Sequence, residues 1–189
     1  GDEFSIPVVA HAIGVGYNLP QLQMMAPLAL NLSTLADIYL GTVDTWDHPA
    51  IRELNPDLQS LLPAQPITVA LPNGDDKATR ILIQTLSAAS QTFRDQVHAR
   101  TVRMHRQVNK KSLQVGTLGH FPVADTGRAV VADDVTTPLQ ETPYTLAVVS
   151  QEPIRTLRYL GFADLINLQN VRLTATPASI SSAINDYQA

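Results

Sequence analysis

The pattern of apolar and polar positions divides the chain into alternating helical and extended stretches. Apolar residues recur at helical spacing from Ala36 to Leu40, and Gly41 follows where a left-handed residue would end a helix. The run Pro66 to Leu71 alternates and is rich in β-branched residues, which predicts a strand that enters the core. A short helix is predicted from Pro49 to Leu54 and a longer one from Lys77 to about Ala89. Strands and helices therefore alternate, as in α/β domains.

The other elements show weaker patterns. Ile13 to Tyr17 is strand-like, with Gly14 and Gly16 where backbone must approach closely. We expect a helix from Gln91 to Val97, after which Thr101 to Val108 alternates, so that Arg103 and His105 would share one solvent face of an edge strand. We further expect loops over Val115 to Phe121 and Val130 to Val135. Strands are expected over Ile6 to Val9, Tyr144 to Val149 and Phe162 to Ile166, and an extended piece over Leu173 to Thr176. Helices are expected over Pro153 to Leu160 and Pro177 to Tyr187.

A turn joins the predicted strand and the helix that follows it. Pro72-Asn73-Gly74-Asp75-Asp76 has the residue types of a tight turn. A strand, a glycine-containing turn and a helix N-terminus are the arrangement by which α/β proteins present backbone N–H groups to an anion. The candidate ligand-binding loop therefore consists of Asn73, Gly74, Asp75, Asp76, Lys77, Ala78 and Thr79.

Several segments, in order along the chain, resemble one known family. LADIYLGTVDTWDHPAIRELNP, LPAQPITVALPNGDDKATRILIQTLS and TPYTLAVV are similar to the second lobe of the periplasmic phosphate-binding proteins that serve ABC phosphate importers, and so are IPVVAHAIGVGYNLP and LINLQNVRLTATPASISSAI. The resemblance implies an α/β fold, a three-layer αβα lobe with a mixed central sheet, as in one lobe of a type II periplasmic binding protein. It implies a single lobe over residues 5–189, and we treat residues 1–4 as a cloning remnant.

The resemblance is weakest at the ligand loop, where the family carries R-x-D-G-S-G-T. The arginine, serine, glycine and threonine of that motif fall on Pro72, Asp76, Lys77 and Ala78, and a shift of one residue would place Thr79 on the threonine. Asp75 and Asp76 put carboxylates where the oxygens of the anion would lie. Two like charges about 4 Å apart repel by about 4 kcal/mol at an effective dielectric near 20. We expect phosphate binding to be lost, with a carboxylate occupying the helix N-terminus instead.

Composition narrows the function classes. The formal charge of −4 argues against a general nucleic-acid binder, and the chain contains no cysteine and no apolar run long enough to span a membrane. The five histidines lack metal-ligand spacing, and neither a nucleophile elbow nor a P-loop is present. Asp75 and Asp76 could be imagined as catalytic carboxylates, but adjacent acids at a helix start more often cap it. We therefore expect a protein that is not an enzyme and that holds no metal and no cofactor.

One stretch concentrates basic side chains. It supplies a candidate contact patch made of Arg100, Arg103, His105, Arg106, Lys110 and Lys111. The patch is either a solvated helix end and edge strand, or a surface for an acidic partner or an anionic lipid surface.

Three functions remain open. The first is a sensor or interaction module, extracellular or periplasmic, that belongs to a larger protein or to the ectodomain of a membrane protein. Its partner would be another protein or a second copy of itself. The second is a solute-binding lobe with altered specificity, in which Asp75, Asp76 and Lys77 bind a cationic or zwitterionic solute such as an amine. The third is a phosphate receptor that is completed by a second lobe or a second chain.

Overall fold

The computed structural model describes residues 13–23, 25–74, 77–108, 121–150, 160–166 and 171–173. Its strands are β1 (Ile13–Tyr17), β2 (Ala29–Asn31), β3 (Thr68–Pro72), β4 (Ala129–Ala132), β5 (Thr145–Ser150), β6 (Gly161–Phe162), β7 (Asp164–Ile166) and β8 (Arg172–Leu173). Its α-helices are α1 (Leu32–Leu40), α2 (Pro49–Leu54), α3 (Lys77–Ala89), α4 (Gln91–Val108) and α5 (Thr136–Glu141). Short 3-10 helices cover Pro20–Leu22, Pro56–Leu58 and Pro122–Thr126.

Five strands form a mixed central sheet in the order β4-β3-β5-β1-β6. Strand β3 runs parallel to both β4 and β5, whereas β1 runs antiparallel to β5 and β6. A smaller sheet has the order β2-β7-β8, with β2 parallel and β8 antiparallel to β7. The predicted mixed α/β fold is confirmed.

The two faces of the central sheet pack against different helices because side chains alternate along each strand. Val69, Leu71, Leu146 and Val148 join the large core that also contains buried residues of α1, α3 and α4. On the opposite face, Ala70, Ala147 and Val149 pack with Leu139 of α5. Helices thus cover both faces, in three layers.

Gly16 of β1 lies where α5 packs on the sheet. A Cβ added to Gly16 would lie 2.7 Å from Cδ2 of the Leu139 side chain, which is closer than packed atoms can come. A larger residue at position 16 would therefore require Leu139 to shift.

Local signals predicted the entry to the core correctly. Gly41 ends α1 with φ 87°, and its N–H donates to carbonyl groups of Asp37 and Ile38. Trp46 is fully buried between the first helices, and its Nε1 donates to the carbonyl of Tyr144 at 3.1 Å. The tryptophan is therefore a packing anchor.

The predicted strand over Thr101 to Val108 is wrong, because α4 continues to Val108. Phe93 and Val97 are buried, and the side chain of Thr101 donates to the carbonyl of Val97 at 2.9 Å, one turn earlier. This spacing of four residues places one helical face on the core. Arg103 and His105 consequently lie on a helix and do not share the face of a strand.

Smaller findings concern strand β4, two helix caps and one predicted strand. The predicted loop over Val130 to Val135 is wrong for residues 130–132, which belong to β4 because they pair with β3. Asn31 caps α1, since its Oδ1 accepts from the Thr34 N–H at 2.7 Å. His48 caps α2, since its Nδ1 accepts from the Ala50 N–H at 3.2 Å. The strand expected over Phe162 to Ile166 divides into β6 and β7, which belong to different sheets.

Some predicted elements lie outside the described residues. The strand over Ile6 to Val9 and the helix over Pro177 to Tyr187 lie entirely outside them. The loop over Val115 to Phe121 is described only at Phe121, the helix over Pro153 to Leu160 only at Leu160, and the extended piece over Leu173 to Thr176 only at Leu173. Within the described ranges, every helix is too short or too polar to cross a bilayer.

Candidate functional site at the carboxyl edge of strands β3 and β4

The parallel strands β3 and β4 end side by side, so the chain leaves both of them at the same edge of the sheet. Pro72 pairs with Ala132 in the ladder, and the N–H of Asn73 extends the ladder by donating to the Ala132 carbonyl at 2.9 Å. We call residues 73–76 the β3 loop and residues 133–135 the β4 loop. In open α/β sheets, ligands bind at the carboxyl ends of the strands, which makes this edge the candidate site.

A side-chain hydrogen bond joins the two loops. Nδ2 of Asn73 donates to Oδ1 of Asp133 at 2.9 Å, and both residues are exposed. A carboxylate acceptor strengthens such a bond relative to a neutral pair. This hydrogen bond therefore fixes the Asn73 side chain against Asp133 of the β4 loop.

Asp134, the next residue of the β4 loop, caps the start of α5. Its Oδ1 accepts from the Thr136 N–H at 2.9 Å and from the Thr136 hydroxyl at 2.7 Å. The hydroxyl of Thr136 and then its N–H hold the pKa of this carboxyl below its ordinary value, because both stabilise the charged form. Because its pKa is lowered, Asp134 is ionised at neutral pH.

The edge is acidic in composition. The β3 loop contributes Asp75 and Asp76, which lie outside the described residues, and the β4 loop contributes Asp133 and Asp134. Neither loop sequence contains a lysine or an arginine. The parallel pairing of two short strands thus brings the β4 loop beside Asn73 and Gly74, the described start of the β3 loop.

The remaining positions of the ligand loop are placed as follows. Pro72 is the last residue of β3, where the resembling family has its arginine. Gly74 has φ 148°, a backbone conformation that favours glycine. Lys77 begins α3, and next to it Ala78 is half-buried and Thr79 buried. Asn73 is exposed at the mouth of the loop.

The basic contact patch is only partly described. Arg100 forms a two-pronged ion pair with Asp125, its second nitrogen lying 3.0 Å from Oδ1. This hydrogen bonding raises the pKa of Arg100 and lowers the pKa of the Asp125 carboxyl. Arg103, one turn further along α4, is exposed. His105 and Arg106 lie within α4, whereas Lys110 and Lys111 are outside the described residues.

Sequence reasoning missed Asp133 as a neighbour of the ligand loop. The available signal was the short apolar run Ala129 to Ala132, which is followed directly by two aspartates, much as β3 is followed by Asn-Gly-Asp-Asp. No cluster of metal-ligating side chains occurs in the part of the chain that the structure describes.

A second hydrogen-bonded group lies at the opposite end of β5. Tyr144 has φ 67°, an unusual value for a residue with a side chain. Its N–H donates to the Asn18 carbonyl at 2.7 Å, and its own carbonyl accepts from Trp46 and from the Thr68 N–H. The Asn18 side chain donates in turn to the Leu139 carbonyl at 2.9 Å. These bonds hold the strained residue in place.

No protein-family model matches the chain. The chain is 28% identical over 193 residues to the phosphate-binding protein PstS of Methanocaldococcus jannaschii, a match that covers 100% of this chain and 45% of the relative. Over 87 residues it is 36% identical to phosphate-binding protein PstS 3 of Mycobacterium tuberculosis, with 46% of this chain and 22% of the relative covered.

Two further comparisons differ in kind. A putative serine/threonine-protein kinase/receptor R831 of Acanthamoeba polyphaga mimivirus is 30% identical over 92 residues, covering 49% of this chain and 6% of that protein. Among solved structures, an ABC-type phosphate transport receptor from Vibrio cholerae aligns with a TM-score of 0.48 and 9% identity over 95% of this chain and 64% of that chain.

The fold is mixed α/β, with helices on both faces of a five-stranded central sheet. The chain is similar over its whole length to a phosphate-binding protein PstS, and over 46% of its length to PstS 3, so the predicted resemblance to phosphate-binding proteins is confirmed. The chain spans less than half the length of the PstS relatives that it matches.

Proposed function

We propose that this chain is a phosphate-binding-protein-like lobe that does not bind phosphate and that serves as a non-enzymatic interaction or sensor module, extracellular or periplasmic. The observation that carries the proposal is that the aspartates of the β4 loop lie at the carboxyl edge of β3 and β4, beside a ligand loop whose sequence carries Asp75 and Asp76 in place of the motif's glycine and serine. The chain is similar to relatives named phosphate-binding proteins, but the residues at this edge differ from the family's phosphate-binding motif.

Electrostatics supports the loss of phosphate binding. Asp134 is ionised, and Asp133 already accepts the hydrogen bond of the Asn73 amide, a donor that an anion at this edge would otherwise use. A carboxylate about 4 Å from a phosphate charge is unfavourable by about 4 kcal/mol at an effective dielectric near 20, and each further aspartate adds to it. Pro72 stands where the family's motif has an arginine, so the favourable charge-assisted bond is missing as well.

The comparisons support the role of a module within a larger protein. The mimivirus relative is named a putative kinase/receptor, and the similar stretch makes up 6% of it. A PstS-like segment thus also occurs inside a much longer protein named as a receptor, which favours a sensor or interaction role for such lobes. The partner we expect is another protein or a second copy of this chain.

Isothermal titration calorimetry with phosphate tests the proposal. We expect no heat of binding from the natural sequence, and measurable phosphate affinity from the double variant Pro72→Arg with Asp76→Ser, which restores two positions of the motif. The matched control is Pro56→Arg with Asp57→Ser, which makes the same two changes at exposed positions away from the edge. Phosphate binding by the control would show that added charge alone explains the gain.

Other outcomes distinguish the alternatives. Saturable phosphate binding by the natural chain would overturn the proposal and favour a receptor that a second lobe or chain completes. Binding of an amine from a small panel, without phosphate binding, would favour a lobe with altered solute specificity. Light scattering at several concentrations adds an independent measurement, since self-association through the lobe predicts a mass above that of one chain.

A further inference from the structure

The β3 loop contains the one Asn-Gly pair of the sequence, Asn73 followed by Gly74. We propose that Asn73 is a site of spontaneous deamidation and that the reaction replaces the hydrogen bond between the two loops with a repulsive carboxylate pair. This inference goes beyond the proposed function and does not depend on it.

The chemistry needs only water. The backbone nitrogen of Gly74, after losing its proton to solvent, attacks Cγ of Asn73; a C–N bond forms, the bond to Nδ2 breaks and ammonia leaves. Water then opens the resulting five-membered imide at either carbonyl, which gives aspartate or isoaspartate. Glycine permits this attack best because it has no Cβ to crowd the approaching nitrogen and because its backbone adopts more conformations than that of other residues. Asparagine is accordingly counted among the thermolabile residues.

The structure favours the reaction at Asn73 over Asn18 and Asn55. Asn73 is exposed, and a Cβ built on Gly74 would meet no atom within 4 Å, so the loop is not packed against other parts of the chain on that side of Gly74. Asn18 is buried, and its Nδ2 donates to two carbonyls. Asn55 is buried and is followed by Pro56, which has no N–H to act as the nucleophile.

Deamidation changes the contact with Asp133. At present the Asn73 amide donates to Asp133 Oδ1 at 2.9 Å. An aspartate at position 73 cannot donate when ionised, and two carboxylates at this separation repel. Isoaspartate would in addition lengthen the backbone beside the Asn73 N–H, which now continues the ladder to Ala132. The edge therefore gains a negative charge and loses the bond between its two loops.

Peptide mapping of the full chain tests the site. After incubation at mildly alkaline pH, we expect Asn73 to convert faster than Asn18 by more than an order of magnitude, with isoaspartate among the products. The variant Asn73→Gln keeps an amide but disfavours ring closure, and should abolish the new acidic species on ion exchange. Equal conversion at Asn73 and Asn18, or an acidic species that persists in Asn73→Gln, would overturn the assignment.

A charge swap tests the consequence. Asn73→Asp should lower the Tm at neutral pH, and adding Asp133→Asn should recover it, because the double variant restores an amide–carboxylate pair with the two groups exchanged. The recovery should vanish at a pH low enough to protonate position 73. If Asp133→Asn lowers the Tm equally in both backgrounds, the two residues are not coupled and this part of the inference fails.

Discussion

The hydroxyl of Thr145 lies in the interior of the central sheet. Thr145 begins β5 and is completely buried, and in the described part of the chain its Oγ1 is a buried side-chain polar atom without a hydrogen-bond partner. Replacing Thr145 with valine keeps the branched shape that suits a strand and removes the oxygen. We therefore expect Thr145→Val to stabilise the protein.

The size of the effect follows from the state of the hydroxyl. A buried polar group without a partner costs about 1–3 kcal/mol of desolvation free energy, and this cost disappears in valine. The methyl group that replaces it also gains some burial, but a well-packed site can resist the small change of shape. We expect a net gain of about 1–2 kcal/mol in the free energy of unfolding, which raises the Tm by about 2–8 °C in a domain of this size.

Thermal and urea unfolding of matched variants measures this. Thr68→Val is the control, because Thr68 pairs with Thr145 across β3 and β5 but is half-exposed, so its hydroxyl can reach water. The same chemical change there should alter the free energy of unfolding by no more than about 0.5 kcal/mol. The m value should be the same for both variants, since neither changes the surface that unfolding exposes.

One result would refute the reasoning. If Thr145→Val destabilises the protein while Thr68→Val does not, the Thr145 hydroxyl has a favourable partner in solution, such as a buried water. A buried water typically makes about three hydrogen bonds to polar groups, and its loss would reverse the sign of the effect.

Two further predictions concern polar contacts. Asn55→Ala should lower the free energy of unfolding, measured in urea, by about 2–6 kcal/mol. The buried Asn55 amide pairs with both the N–H (2.7 Å) and the carbonyl (2.8 Å) of Ala29, and each of these groups would be left unsatisfied at a cost of about 1–3 kcal/mol. A loss below about 1 kcal/mol would mean that water replaces the amide. Because Arg100 lowers the pKa of Asp125 in the folded state, the stability from this pair is present above the ordinary aspartate pKa of 3.8 and is lost as pH falls through the lowered value. Between neutral and strongly acidic pH, the free energy of unfolding of Asp125→Asn should therefore fall less than that of the natural chain. The difference should be about 0.2–1 kcal/mol, because Asp125 is largely exposed. Identical acid-unfolding profiles would show that the ion pair does not stabilise the fold.

Local signals were sufficient to predict the elements that carry strong patterns. Alternation with β-branched residues predicted β3, and the Gly41 terminator predicted the end of α1, because both depend on residues within one turn or one strand. The resemblance to phosphate-binding proteins added the layer arrangement, which no local pattern contains.

The second half of α4 could not be predicted in the same way. After Val97 the helix carries few apolar residues, and Val102 is exposed, so no apolar stripe marks the helical period. Its position is fixed instead by long-range contacts such as the Arg100–Asp125 ion pair. Strand β4 was missed for a related reason: four residues are too few to show a period, and their extended conformation depends on pairing with β3.

The acidity of the candidate site is itself a product of long-range pairing. The sequence places Asp75 and Asp76 in the ligand loop, but Asp133 and Asp134 lie almost sixty residues away and reach the same edge only because β4 is parallel to β3. Restoring the motif at Pro72 and Asp76 would therefore leave the β4 loop carboxylates in place. The repulsion they exert acts over several ångströms and is weakened by solvent, whereas a restored arginine would contact the anion directly. For this reason we expect the double variant to gain measurable phosphate affinity but to bind more weakly than a loop flanked by neutral residues.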